Sequence, residues 1–154
     1  MRAVFVTTLL AALVFPSGHA SGSPPIDISA EEPQTLHAQA AQGDATVQVN
    51  LGGLYARGQG VPQDYVKARR WYEKAAAQGD ATAQVNLGWL YAEGHGVSQD
   101  DVRAYMWYNL ATPHLTGDEQ KLVANNRDEI AGRMTPAQIA EAQKLAREWK
   151  PIKK

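Results

Sequence analysis

Apolar side chains return at helical intervals through the middle of this chain, and the intervals themselves return as a block every 36 residues. Val47, Leu51, Leu54 and Tyr55 fall at i, i+4, i+7 and i+8, one stripe of a 3.6-residue period. Ala68, Trp71, Tyr72 and Ala75 fall at i, i+3, i+4 and i+7 and mark a second stripe. The pattern then repeats through Val85, Leu87, Leu90 and Tyr91, and again through Ala104, Trp107, Tyr108 and Ala111. Between the stripes lie polar residues, glycines and one proline. Each block therefore predicts two helices joined by a short link.

The punctuation agrees with the stripes. Asp44 and Asp80 precede the first helix of each block, and Asp64 and Asp100 precede the second, where a carboxylate accepts from unpaired first-turn amides. Gly58 and Gly94 follow the last periodic residue and suit a left-handed helix end. Gly60-Val61-Pro62 forms the link in the first block. Upstream, Leu36–Asp44 echoes Tyr72–Asp80, so a half repeat over 33–43 opens the domain. Downstream the pattern decays. Gly117-Asp118 restores the opening signal, and Leu122–Met134 reads as a degenerate first helix. Thr135-Pro136-Ala137-Gln138 starts a last helix with a capping threonine, a proline and a glutamine at the third position. Ile139, Ala142, Ala146 and Trp149 mark its face, and Pro151 stops it.

Copy 41–76 and copy 77–112 agree at 24 of 36 positions. A period of this length signals stacked supersecondary units, none able to bury its apolar face alone. The expected architecture is all-α: a solenoid of antiparallel helix pairs with about seven helices, the segment 113–150 supplying a degenerate repeat and a capping helix. Gly52 and Gly88 lie inside helices, where each costs about 1 kcal/mol relative to alanine. That cost, taken twice in one register, implies close helix approach, with the Trp71 or Trp107 ring filling the space. Both tryptophans are expected at equivalent buried sites.

Residues before the helices belong to export rather than to the fold. Met1-Arg2 is followed by an apolar, uncharged run over Ala3–Phe15, a break at Pro16-Ser17-Gly18, and small residues before Ser21. This is the layout of a signal peptide over 1–20 cleaved after Ala20, and the apolar run is shorter than the roughly 20 residues a bilayer span needs. Residues 21–32 are rich in Ser, Pro and Gly and read as a flexible lead-in. The expected location is periplasmic or secreted, with no membrane insertion. The chain has no cysteine, so it must stand in an oxidising compartment without disulfides. Its net charge is −1, which gives no reason to expect nucleic acid as a partner.

The recurring Ala, Leu-Gly, Tyr, Gly-x-Gly-Val, Asp, Ala and Trp-Tyr resemble the Sel-one-like repeat (SLR) family, a relative of the tetratricopeptide repeat. The resemblance is close over Leu36–Ala111 and covers the repeat domain 33–150 more loosely. It implies a right-handed α/α superhelix that serves as a non-catalytic scaffold or adaptor for a protein or peptide. It also implies which residues turn to the concave side: Val49, Asn50, Gly53 and Arg57, with their copies Val85, Asn86, Trp89 and Glu93. Asn50 and Asn86 then offer hydrogen bonds to a peptide backbone. Trp89, where the first copy has Gly53, is either a binding anchor or packing beneath the C-terminal helix. A cysteine-rich branch of the family is linked to β-lactam chemistry. With no cysteine, this chain does not inherit that activity.

The side chains offer little else for chemistry. His37, His95 and His114 lack metal-ligand spacing, and no thiolate is available. Ser98 occupies a turn with no nucleophile-elbow context. The Gly-x-Gly-Val loops follow helices rather than strands, so they are not phosphate cradles. No cofactor and no metal are expected. Lys67, Arg70 and Lys74 share one face of a helix with Arg69 nearby, but their copies are Arg103, Met106 and Leu110, and the stripe reads as a solvated outer face. The alternative function is an envelope enzyme or carbohydrate-binding protein acting on cell-wall or exported polysaccharide, supported by Trp89 and the tyrosines as stacking surfaces.

Overall fold

The structure is a computed structural model that describes residues 33–152. The signal-peptide and lead-in assignments, 1–20 and 21–32, lie outside the described residues. Among the described residues seven α-helices follow one another: α1 Pro33–Ala41, α2 Ala45–Arg57, α3 Tyr65–Ala77, α4 Ala81–Glu93, α5 Asp101–Ala111, α6 Gly117–Ala131 and α7 Pro136–Glu148. A single 3₁₀ turn, Thr112–His114, follows α5, and no strand occurs among the described residues. The molecule is an all-α solenoid. Helices α2 and α3 pair, α4 and α5 pair, α3 packs on α4, and α5 carries both α6 and α7.

Local chemistry sets most boundaries. Asp44 accepts from the amides of Thr46 and Val47 at 2.9 and 3.2 Å, Asp80 from Ala83 at 2.8 Å, and Asp64 and Asp100 each accept one amide at 3.0 Å. Such caps satisfy first-turn donors that have no intrahelical partner. Gly58 and Gly94 end α2 and α4 at φ 65° and 70°, a left-handed conformation that favours glycine. Thr135 and Gln138 close a reciprocal capping box at the start of α7. Helix α6 begins at Gly117, five residues before the expected Leu122, because Asp118 and Glu119 extend its first turn where negative charge is favourable.

The core lies in two clusters, one around Leu36, Leu51, Tyr72 and Leu87, the other around Val85, Tyr108, Val123 and Ile130. Here the expectation for the tryptophans is corrected. Trp71 and Trp107 are only partly buried, while Tyr72 and Tyr108 are 1% and 0% exposed. The tyrosines, not the tryptophans, lie against the helical glycines. A Cβ on Gly52 would stand 2.6 Å from Tyr72 Cε1, and one on Gly88 would stand 2.7 Å from Tyr108 Cε1. Adjacent helix positions are about 100° apart, so the inner edge of the stripe passes to the tyrosine and its neighbour rotates toward the rim. Trp107 nevertheless packs against both core clusters, whereas Trp71 packs against the first only.

Differences between the copies concentrate where one repeat meets the next. Trp89 and His95 of the second copy close on Tyr65 of the first: Tyr65 stacks on His95 with ring centroids 4.5 Å apart and meets Trp89 edge-on at 5.8 Å. The position corresponding to Tyr65 in the second copy is Asp101. It accepts a two-pronged hydrogen bond from Arg133, both contacts 2.9 Å, at the junction with the C-terminal unit. One junction is fastened by aromatic rings and the other by an ion pair.

Candidate functional site

Among the described residues a large groove opens, with a volume of about 930 Å³. It is lined by His37 of α1, Tyr55 of α2, Lys67, Arg70, Trp71, Glu73, Lys74 and Ala77 of α3, the turn residues Gly43 and Gln78, and Ile152 of the C-terminal tail. Three elements place these side chains. The register that sends Tyr72 inward leaves Trp71 on the rim of α3, with Arg70 and Lys74 beside it.

The aromatic floor is held from several sides. His37 Nε2 lies 2.8 Å from the Tyr55 hydroxyl, and the His37 ring meets Tyr55 and Trp71 edge-on at 5.7 and 5.6 Å. The Lys74 ammonium sits 4.4 Å from the Trp71 centroid, and that of Lys67 lies 5.2 Å from Tyr55. Cations over ring faces gain from the ring quadrupole, so both lysines have a reason to stay over the groove. Glu73 is the one carboxylate in the lining and forms an ion pair with Arg69 on the same helix. The groove thus offers flat aromatic surface beneath a mostly cationic edge. Its lining holds no second carboxylate to pair with Glu73. No group of three or more potential metal ligands occurs among the described residues.

The residues drawn from the resemblance fall elsewhere. Val49, Asn50, Val85, Asn86 and Trp89 are all buried; Arg57 is partly exposed and Glu93 exposed. The Asn86 amide donates to the Thr82 carbonyl at 2.9 Å within its own helix, and Arg57 donates to Gln59 at 2.7 Å. Trp89 rests on Tyr65 and His95 rather than beneath the C-terminal helix. The chain's own packing leaves these five buried side chains little surface for a partner.

Sequence reasoning had the groove's parts without assembling them. The basic stripe Lys67, Arg70 and Lys74 reads as a solvated face until Trp71 is placed among it. The signal available was the conjunction of a tryptophan at the same position in both copies with a charge pattern that only one copy carries.

Similarity to known proteins adds the following. The Sel1 repeat family model matches residues 45–80 and 81–112. A protective antigen present in uropathogenic Escherichia coli strains, displaying an SLR fold, is similar in structure with a TM-score of 0.68 and 33% identity, over 75% of this chain and 24% of that one. A Sel1 repeat protein from Oxalobacter formigenes is similar with a TM-score of 0.51 and 28% identity, over 66% of this chain and 50% of that one. The chain thus spans a quarter to a half of the length of these two structures. No curated protein matches it.

Proposed function

Since the chain is a Sel1-like repeat protein and such repeats generally mediate protein–protein interactions, we propose that it is a non-catalytic adaptor of the bacterial envelope that grips a segment of a partner protein. The groove over Tyr55 and Trp71 carries this reading. A partly buried Trp71 beside the buried Tyr55 ring, framed by long cationic side chains, suits a peptide, because the tryptophan face takes an apolar side chain while the edge takes charge or backbone carbonyls. The envelope location rests on the signal-peptide pattern of residues 1–20.

Affinity capture from envelope extract with the mature chain tests the reading. The expected result is a partner retained in fixed stoichiometry and reconstituted from purified components. Retention of purified cell-wall polysaccharide, with no protein retained, would favour the carbohydrate-binding alternative instead. Fractionation of the native host tests the location; a mature chain beginning at Ser21 in the periplasmic fraction is expected, and full-length protein in the cytoplasm overturns it.

A further inference from the structure

The chain's own C-terminal tail lies, one repeat along, against the counterpart of the groove's tryptophan. Beyond α7 the tail turns back across the stack. Trp149 meets Trp107 edge-on at 6.2 Å, Pro151 lies over Gly79, 3.7 Å from where a Cβ there would stand, and the Ile152 amide donates to the Ala77 carbonyl at 2.7 Å. Moved back by one 36-residue repeat, Trp107 becomes Trp71 and Gly79 becomes Gly43. Both of those line the groove. The tail therefore displays on the second copy how an extended segment seats itself, with an aromatic residue, a proline and one main-chain hydrogen bond.

The two versions of the site differ in charge. Around Trp107 the second copy has Met106 and Leu110; around Trp71 the first has Arg70 and Lys74. The apolar version holds the tail. The cationic version is built for a segment of opposite charge, and the tail itself is basic, with Lys150, Lys153 and Lys154. A second copy's tail is thus disfavoured by like charge.

Resting on the adaptor reading above, we propose that the groove at Trp71 binds an extended acidic segment of another protein, carrying an aromatic residue or a proline, in the manner in which the tail lies on Trp107. The aromatic or proline residue takes the place against Trp71, and the acidic side chains face Arg70 and Lys74.

The test uses the mature chain and two labelled hexapeptides. One has the tail sequence Trp-Lys-Pro-Ile-Lys-Lys; the other replaces its lysines, Trp-Glu-Pro-Ile-Glu-Glu. Fluorescence anisotropy at low salt should show the acidic peptide binding about ten-fold more tightly or better, the preference shrinking as salt is raised. The double variant Arg70→Met, Lys74→Leu installs the second copy's own residues, so the fold already accommodates them in that register. It should erase the preference, and Trp71→Ala should weaken the acidic peptide by a similar factor. Absence of binding, equal binding of both peptides, or a preference that survives the double variant overturns the proposal. So does a rise in affinity of about ten-fold when residues 21–32 are removed, which would make the chain's own acidic lead-in the occupant, or self-association that the acidic peptide disrupts, which would make it a second copy. If the double variant still captures an envelope partner while the peptides fail, the groove assignment falls and the adaptor reading stands.

Discussion

A missing methyl group at Gly88 decides how closely α4 and α5 approach. The Tyr108 ring already occupies the space a Cβ would need. Gly88→Ala sets a propensity gain of about 1 kcal/mol against overpacking of about 1–3 kcal/mol, and the clash involves a ring rather than a flexible chain end. The expected outcome in urea melts is a net loss of stability, which Tyr108→Leu should shrink or reverse in a double-mutant cycle. The tyrosines also make stability depend on alkaline pH. Burial pushes the hydroxyls of Tyr72 and Tyr108 well above the ordinary value of 10.0. The unfolded chain therefore loses these protons first, and stability present below pH 10 is lost as pH rises beyond it. The slope should be about 1.4 kcal/mol per pH unit for each ring, and Tyr72→Phe should flatten it by one ring's share in melts between pH 9 and 11. Much at this scale was legible in the sequence. The four aspartate caps, the closing glycines and the need for close approach at Gly52 and Gly88 all follow from residue type and register. The identity of the packed ring did not, because Trp71 and Tyr72 are neighbours on one broad apolar stripe and only the neighbouring helix decides between them.

At the scale of the element, the two Gly-x-Gly-Val loops have the same backbone and different neighbours. Gly60 and Gly96 both adopt positive φ, 70° and 66°, yet a Cβ at Gly60 meets nothing within 4 Å while one at Gly96 would stand 2.6 Å from the Tyr65 backbone. The first loop faces no preceding unit of its kind; the second docks on the start of α3. Gly60→Ala should cost only the left-handed penalty, about 1–2 kcal/mol. Gly96→Ala should cost about 1–3 kcal/mol more, since main chain cannot swing aside, and parallel urea melts of the two variants would expose equal losses if the docking is wrong. Junctions were the part the sequence concealed. Gln59 against His95 and Tyr65 against Asp101 look like tolerated drift between copies, and Trp89 in place of Gly53 reads as a binding anchor or as packing beneath the C-terminal helix. Only the fold reveals that Trp89, His95 and Tyr65 meet, while Asp101 turns to Arg133 instead. The basic stripe on α3 was concealed for the same reason, because its meaning depends on Trp71 standing at the rim beside Tyr55 of another helix.

Across the whole molecule, stability passes through few side chains, as expected of an array whose units touch only their neighbours. Trp107 packs against both core clusters and against Trp149. Trp107→Ala should cost about 3–5 kcal/mol and lower the urea m-value or split the transition, because the two halves lose a shared contact. Trp71→Ala, touching the first cluster alone, should cost less and leave a single transition; equal effects would contradict the asymmetry. The returning tail has a consequence for arrays of other lengths. It lies one unit back from the C-terminal cap, covering the Trp107 seat with Trp149 and reaching the Trp71 groove only at its edge with Ile152. Inserting a further 36-residue copy ahead of the cap would carry the tail along with it and leave one more seat uncovered. Valency would then count the copies less one, and duplication within the gene would lengthen the recognised segment without any new surface having to be invented.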